Sequence, residues 1–193
     1  MRFLTILGLL ISMFSCTSDK AVSVAEDSNR WGETSQLSAV DKDNIKRVVL
    51  AVYALDYRFQ EKDLDVAEFL SPGLLKLCVL VKAAEQQSAE LTPTGEKPAI
   101  VEGEIFASLY EGYQDVKIID LKKDGESCIA TVEFSHAYDA SSPKEIWQDH
   151  LVLTLYKGEW KLDNVLYREG RNYPKDLKTY LRNFYTQHYI SEE

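Results

Sequence analysis

Residues 115–170 read DVKIIDLKKDGESCIATVEFSHAYDASSPKEIWQDHLVLTLYKGEWKLDNVLYREG, and this stretch decides the fold class. Apolar side chains recur there at every second position, the period of a strand with one face buried. Three turn signals interrupt the alternation: Asp124-Gly125, the run DASSPK from Asp139 to Lys144, and Lys157-Gly158. The pattern predicts four strands in an antiparallel meander. On the second strand Ala130, Val132 and Phe134 face the core, and alternation carries His136 and Tyr138 onto the same side. On the third, Leu151, Leu153 and Leu155 point inward, with Asp149 and Trp147 in line with them. His150, Val152, Thr154 and Tyr156 take the outer face, as exposed sheet surface or as a contact patch.

Outward from the meander the period lengthens. In SAVDKDNIKRVVLAVYALDYRFQ, Ile45, Val48, Val49, Val52 and Tyr53 fall at spacings of three and four, continued by Asp56 or Tyr57, with Ser38 or Asp41 as the cap. In LDVAEFLSPGLLKLCVLVKAAEQQSAEL a short helix precedes a long one. Ser71 stands at the N-cap and Pro72 at the first helical position, where a missing N–H does no harm. Its buried stripe is Leu74, Leu77, Cys78, Val81 and Ala84. TPTGEKPAIVEG is a loop, and EIFASLYEGY reads equally as a short helix or as a bent entry into the sheet. YPKDLKTYLRNFYTQHY predicts a last helix with Pro174 near its start and Tyr180, Phe184 and Tyr185 as its buried stripe. Helices followed by an antiparallel meander define an α+β domain, with the helices on one face of a curved sheet.

The chain opens differently. Arg2 is followed by the uncharged run Phe3–Phe14, well short of the roughly 20 apolar residues that a spanning helix needs. Such a run reads as an export signal. Ser15 then precedes Cys16, which resembles the lipobox of bacterial lipoproteins, where the cysteine is lipidated on sulfur and becomes the new N-terminus. Met13 and Phe14 stand where a typical lipobox has leucine and a small residue, a looser version familiar in Bacteroidetes. The resemblance implies a membrane anchor through Cys16, and Thr17 after it favours the outer membrane. Several acyl chains at about 0.8 kcal/mol per buried methylene hold firmly where one chain is marginal. The expected organisation is a signal peptide over 1–15, a flexible tether over 16–37 and a single domain over 38–190, with Trp31 packing back onto it.

The order of elements resembles the nuclear transport factor 2-like (cystatin-like) superfamily, which folds as a cone. Within it, VVLAVYALDY…LDVAEFLSPGLLKL, GEIFASLYEGY and GEWKLDNVLY…PKDLKTYLRNFY look like uncharacterised Bacteroidetes lipoproteins of the DUF3828 type. The likeness covers residues 40 to 188. It implies the fold and export, and brings no catalytic residues with it.

At 193 residues with a formal charge of −9, the chain lacks the clustered Lys and Arg that a nucleic-acid surface needs. No Gly-rich phosphate loop, His-x-x-x-His, Cys-x-x-Cys or Gly-x-Ser-x-Gly occurs, and the three histidines, His136, His150 and His188, show no ligand spacing. No cofactor or metal is expected. Cys78 and Cys128 suit a disulfide after export or two buried free thiols, the latter favoured. One constellation suggests chemistry. A hairpin turning around Ser141-Ser142-Pro143 sets Asp149 opposite or diagonal to His136, where a carboxylate orients an imidazole as general base. Tyr138 and Trp147 flank the pair as ligand-binding candidates at the mouth of the cone. The bland alternative is that these are polar strand ends beside hairpin aromatics.

The leading expectation is a non-enzymatic, lipid-anchored envelope module that binds a small molecule or an envelope protein. The alternatives are an isomerase, dehydratase or hydrolase using His136 and Asp149, and an immunity or inhibitor protein. Homodimerisation through the outer sheet face is a further expectation.

Overall fold

The computed structural model describes residues 36–54, 66–168 and 174–189. The readings of Cys16, of Trp31 and the tether as far as residue 35, and of Asp56 and Tyr57 lie outside them; Leu37, read as the last residue of the tether, is instead buried in the core.

Helix α1 spans Ala39–Ala54 and buries the expected stripe of Ile45, Val48, Val49, Val52 and Tyr53. Ser38 is the cap: its Oγ accepts from the Asp41 N–H at 3.0 Å and donates to Asp41 Oδ2 at 2.7 Å. Asp41 has a second task, because its Oδ1 accepts from Trp160 Nε1 at 2.8 Å across 119 residues of chain. A 3₁₀ turn, Ala67–Phe69, leads into α2, Pro72–Leu91. Ser71 caps it as expected, accepting from Leu74 N at 3.1 Å. The same hydroxyl donates to Asp163 Oδ1 at 2.6 Å, and Lys178 Nζ lies 2.6 Å from Asp163 Oδ2. One carboxylate thus ties together the starts of two helices.

The four strands are β1 Asp115–Asp124, β2 Ser127–His136, β3 Glu145–Tyr156 and β4 Glu159–Leu166, antiparallel and in sequential order. The fold is therefore α+β, as the periods indicate. Ala130, Val132, Phe134, Leu151 and Leu153 are fully buried on the inner face. Leu155, close to the Lys157-Gly158 turn, is the exception at 49 % exposed. On the outer face His150 and Tyr156 are exposed while Val152 and Thr154 are half-buried. Helix α1 packs on β4 and β1, and the last helix packs on α2 and β4. The edge of β4 is covered by bridges from Leu70 to Leu162 and from Asp176 to Leu166. Among the described residues no strand pairs with the outer edge of β1, which carries a bulge between Ile118 and Asp120 together with Lys117, Lys122 and Lys123, devices that discourage pairing with another chain.

Helix α3, Leu177–His188, begins three residues after Pro174, with Asp176 as its cap. Its buried stripe is Leu177, Leu181 and Phe184, and Tyr180 and Tyr185 flank it half-buried. Asp176 Oδ1 accepts from Thr179 N at 2.9 Å and Oδ2 from Thr179 Oγ1 at 2.8 Å. Burial alone would raise the Asp176 pKa, but the hydrogen bonds from Thr179 and Asn164 outweigh it and lower the carboxyl below its ordinary 3.8. A depressed folded value means that the cap stabilises fully above the unfolded pKa and loses its contribution as pH falls through the folded one. Asp176→Ala is expected to lower unfolding free energy by about 1 kcal/mol at pH 7. That difference should shrink in urea titrations as pH falls below the ordinary carboxyl value of 3.8; a deficit unchanged at low pH would contradict the charged cap.

Cys78 and Cys128 are free and fully buried. Burial pushes the Cys78 thiol up to about 12 and Cys128 to about 11, so almost no thiolate exists near neutrality. Alkylation by iodoacetamide at pH 8, followed peptide by peptide, should leave both unmodified in the native protein and label both after unfolding. Rapid native labelling of either would refute this. Among the described residues, no helix is long and apolar enough to cross a membrane.

Candidate functional site

The inner face of the sheet holds more than helices. Residues 103–113 are neither helix nor strand, yet Ile105, Phe106, Ala107, Ser108 and Leu109 are each at most 3 % exposed. Irregular chain in an interior has N–H and C=O groups that no ladder satisfies, and each must find a partner. Here Glu104 Oε1, within the loop, accepts from Phe106 N at 2.8 Å, and side chains from elsewhere in the fold supply further partners. Tyr53 OH donates to Phe106 O at 2.7 Å, and Tyr167 OH donates to Ile105 O. Ser108 donates twice to one carboxylate, from N to Asp149 Oδ2 at 2.8 Å and from Oγ to Asp149 Oδ1 at 2.6 Å. At the neck, Glu104 N donates to Tyr110 O at 3.1 Å and Gly112 N to Leu109 O at 2.9 Å. Of the two readings of EIFASLYEGY, the bent segment is the observed one, and it forms a buried loop.

Asp149 is the anchor. It is fully buried, and beyond Ser108 it accepts from Arg168 N at 2.9 Å and Trp147 Nε1 at 3.3 Å. Four donors converge on two oxygens, which is how a carboxylate survives burial. Tyr53 lies close enough to feel it: burial first, then the charges of Asp149 and Glu104, push its hydroxyl well above 10.0. The phenol therefore stays a donor to the loop.

The His136–Asp149 pairing does not form. Asp149 stands opposite Val132 and His136 opposite Glu145, a separation of four positions along β2, roughly 13 Å at about 3.3 Å per residue. Alternation does put both on the inner face; the register keeps them apart. The cause is the turn. Asp139 Oδ1 accepts from Ser141 N, Ser142 N and Ser141 Oγ at 2.7, 2.8 and 2.6 Å. These bonds centre the reversal on residues 139–142 and hold the Asp139 carboxyl down at about 2. Moving a hairpin's centre by two residues moves its pairing by four.

Tyr138 falls past the end of β2 and is 57 % exposed, with the His136 ring edge-on to it at 4.9 Å. Trp147, by contrast, is buried: it stacks on Phe134 at 5.5 Å, and the Arg168 guanidinium lies 5.4 Å from its ring centroid. Arg168 also pairs with Glu145, the cross-strand neighbour of His136. Trp147 is therefore core and scaffold, Tyr138 is surface, and Asp149 is a structural acceptor. Among the described residues, His136 Nδ1 is the one buried side-chain nitrogen or oxygen without a hydrogen-bond partner, and no group of three or more His, Cys, Asp or Glu is placed to hold a metal.

Ser108, Tyr167 and Arg168 escaped the sequence reading, and Tyr53 was read as core stripe with no part in holding the loop. The one signal was an apolar run too short for a core helix and bracketed by Gly103 and Gly112. Fold and site together define an α+β protein whose inner sheet face is occupied by a loop of its own chain. No family model matches the chain, and a search of curated proteins finds no match either.

Proposed function

We propose that this chain is a lipid-anchored envelope protein whose nuclear transport factor 2-like domain works as a non-enzymatic binding module. The observation that carries the non-enzymatic reading is the engagement of Asp149. All four of its hydrogen bonds go to donors of its own fold, which leaves it no free lone pair aimed at a substrate. The acid–base alternative needs a His136–Asp149 contact of about 3 Å, and the register separates the two residues. Between the two kinds of partner, a protein is the better supported, because residues 105–109 of the chain itself pack, buried, over Asp149 on the inner face. The acidic balance suits a basic partner surface.

The anchor rests on Ser15-Cys16 after the apolar run. Mass spectrometry of protein from membranes should find Cys16 as the first residue, carrying a diacylglyceryl thioether, and Cys16→Ala should release the protein from the membrane fraction. An unacylated mature N-terminus downstream of Cys16 would remove the anchor. Crosslinking in intact envelopes tests the module: a discrete, saturable protein adduct supports it, and turnover of a small molecule by the purified domain would overturn it.

A further inference from the structure

The loop on the inner face is itself bound in the way a ligand is bound. Its ends are Gly103, at φ +74°, and Gly112, at φ +83°, two positions whose backbone turns sharply out of the surrounding path. Its neck is closed by Glu104 N to Tyr110 O. Between them, ties to the rest of the fold run from side chains to loop backbone: two tyrosine hydroxyls to carbonyls of Ile105 and Phe106, and one carboxylate to the N–H and Oγ of Ser108. Strand pairing holds the neighbouring β2 and β3 along ten consecutive positions; no such ladder holds the loop. Beneath it, Tyr53, Phe134 and Trp147 form a run of touching rings.

We propose that residues 103–112 are a built-in occupant of a polypeptide-binding cleft, and that the loop swings out as a unit about its two glycines to admit a segment of a partner protein. This rests on the binding-module reading above and names the chemistry of its partner. Vacated, the cleft presents two phenolic donors spaced for successive backbone carbonyls and a carboxylate acceptor for a backbone N–H and a small hydroxyl. Bulky apolar side chains belong on either side, as Phe106 and Leu109 flank Ala107 and Ser108. A segment with a large apolar residue, two small residues including Ser or Thr, and another large apolar residue fits. An acid at the serine position would meet Asp149 and be rejected.

Hydrogen exchange on the folded full-length protein tests the opening. Amides of Phe106–Leu109 should exchange at least tenfold faster than those of Val132 and Leu151, whose exchange reports global unfolding. Ser108→Ala should speed the loop amides a further fivefold or more and change the sheet amides much less. If loop and sheet amides exchange together, and Ser108→Ala speeds them equally, the loop opens only with the whole domain and the proposal fails. Occupancy is then read with a synthetic peptide of residues 102–112. It should protect the Tyr53 and Asp149 regions and release the loop, whereas the peptide with aspartate in place of Ser108 should not. No effect of the parent peptide at millimolar concentration overturns the cleft. A crosslinked partner that leaves the loop amides fully protected overturns this inference alone, and the binding-module reading stands.

Discussion

Asp149→Ala is expected to lower the free energy of unfolding by about 3–6 kcal/mol. Removing the carboxylate strands the Ser108 and Arg168 N–H groups, the Ser108 hydroxyl and the Trp147 indole N–H around a buried position. Each stranded buried donor costs about 1–3 kcal/mol, and partial relaxation keeps the total below their sum. Asp149→Asn should recover part of the loss, since one oxygen remains, but its new NH₂ confronts a donor. Urea unfolding followed by tryptophan fluorescence measures both, with the wild-type slope retained. A deficit under about 1 kcal/mol for Asp149→Ala would mean that the carboxylate is no anchor.

Gly103→Ala is expected to cost roughly 2–4 kcal/mol, combining left-handed strain with overpacking. Gly103 has φ +74°, and a Cβ there would stand 2.6 Å from Tyr110 Cδ2 and 2.8 Å from Tyr110 O. The second of these is backbone and belongs to the neck that closes the loop, so little can give way. Gly125→Ala is the control. Its φ is +59° with nothing within 4 Å of the added methyl, so only the backbone term of about 1 kcal/mol applies. Equal losses for the two variants would show that the close approach at the neck carries no energy.

Much of the fold was readable from local pattern. The change of period from three-and-four to two separates helices from strands wherever one face is buried, and it places Ile45, Val52, Cys78, Val132 and Leu151 correctly in the core. Caps were legible too, because Ser38 and Ser71 act on N–H groups within three residues of themselves. The last helix was read less well. Its aromatic stripe drew attention to Tyr180 and Tyr185, while Leu177 and Leu181 carry the deepest burial, since ring size does not say which side of a helix meets α2 and β4.

The site was hardly legible at all. His136 and Asp149 share a face, as alternation requires, yet whether they touch depends on the centre of one eight-residue connection. Asp139 sets that centre through three hydrogen bonds, and nothing in the strands themselves reports it. The loop at 103–112 has no period to read: its burial comes from Tyr53, Asp149 and Tyr167, which lie tens of residues away in either direction.

By itself the sequence determined the class of fold, the order of its elements and most of the core stripes, all carried by periodicity or by contacts between near neighbours in the chain. Only the tertiary structure decided the hairpin register, the fate of Asp149 and the filling of the inner sheet face. The physical reason is the same for all three. A buried polar group is satisfied by whichever donors the fold brings within about 3 Å, and the donors that reach Asp149 come from residues 108, 147 and 168.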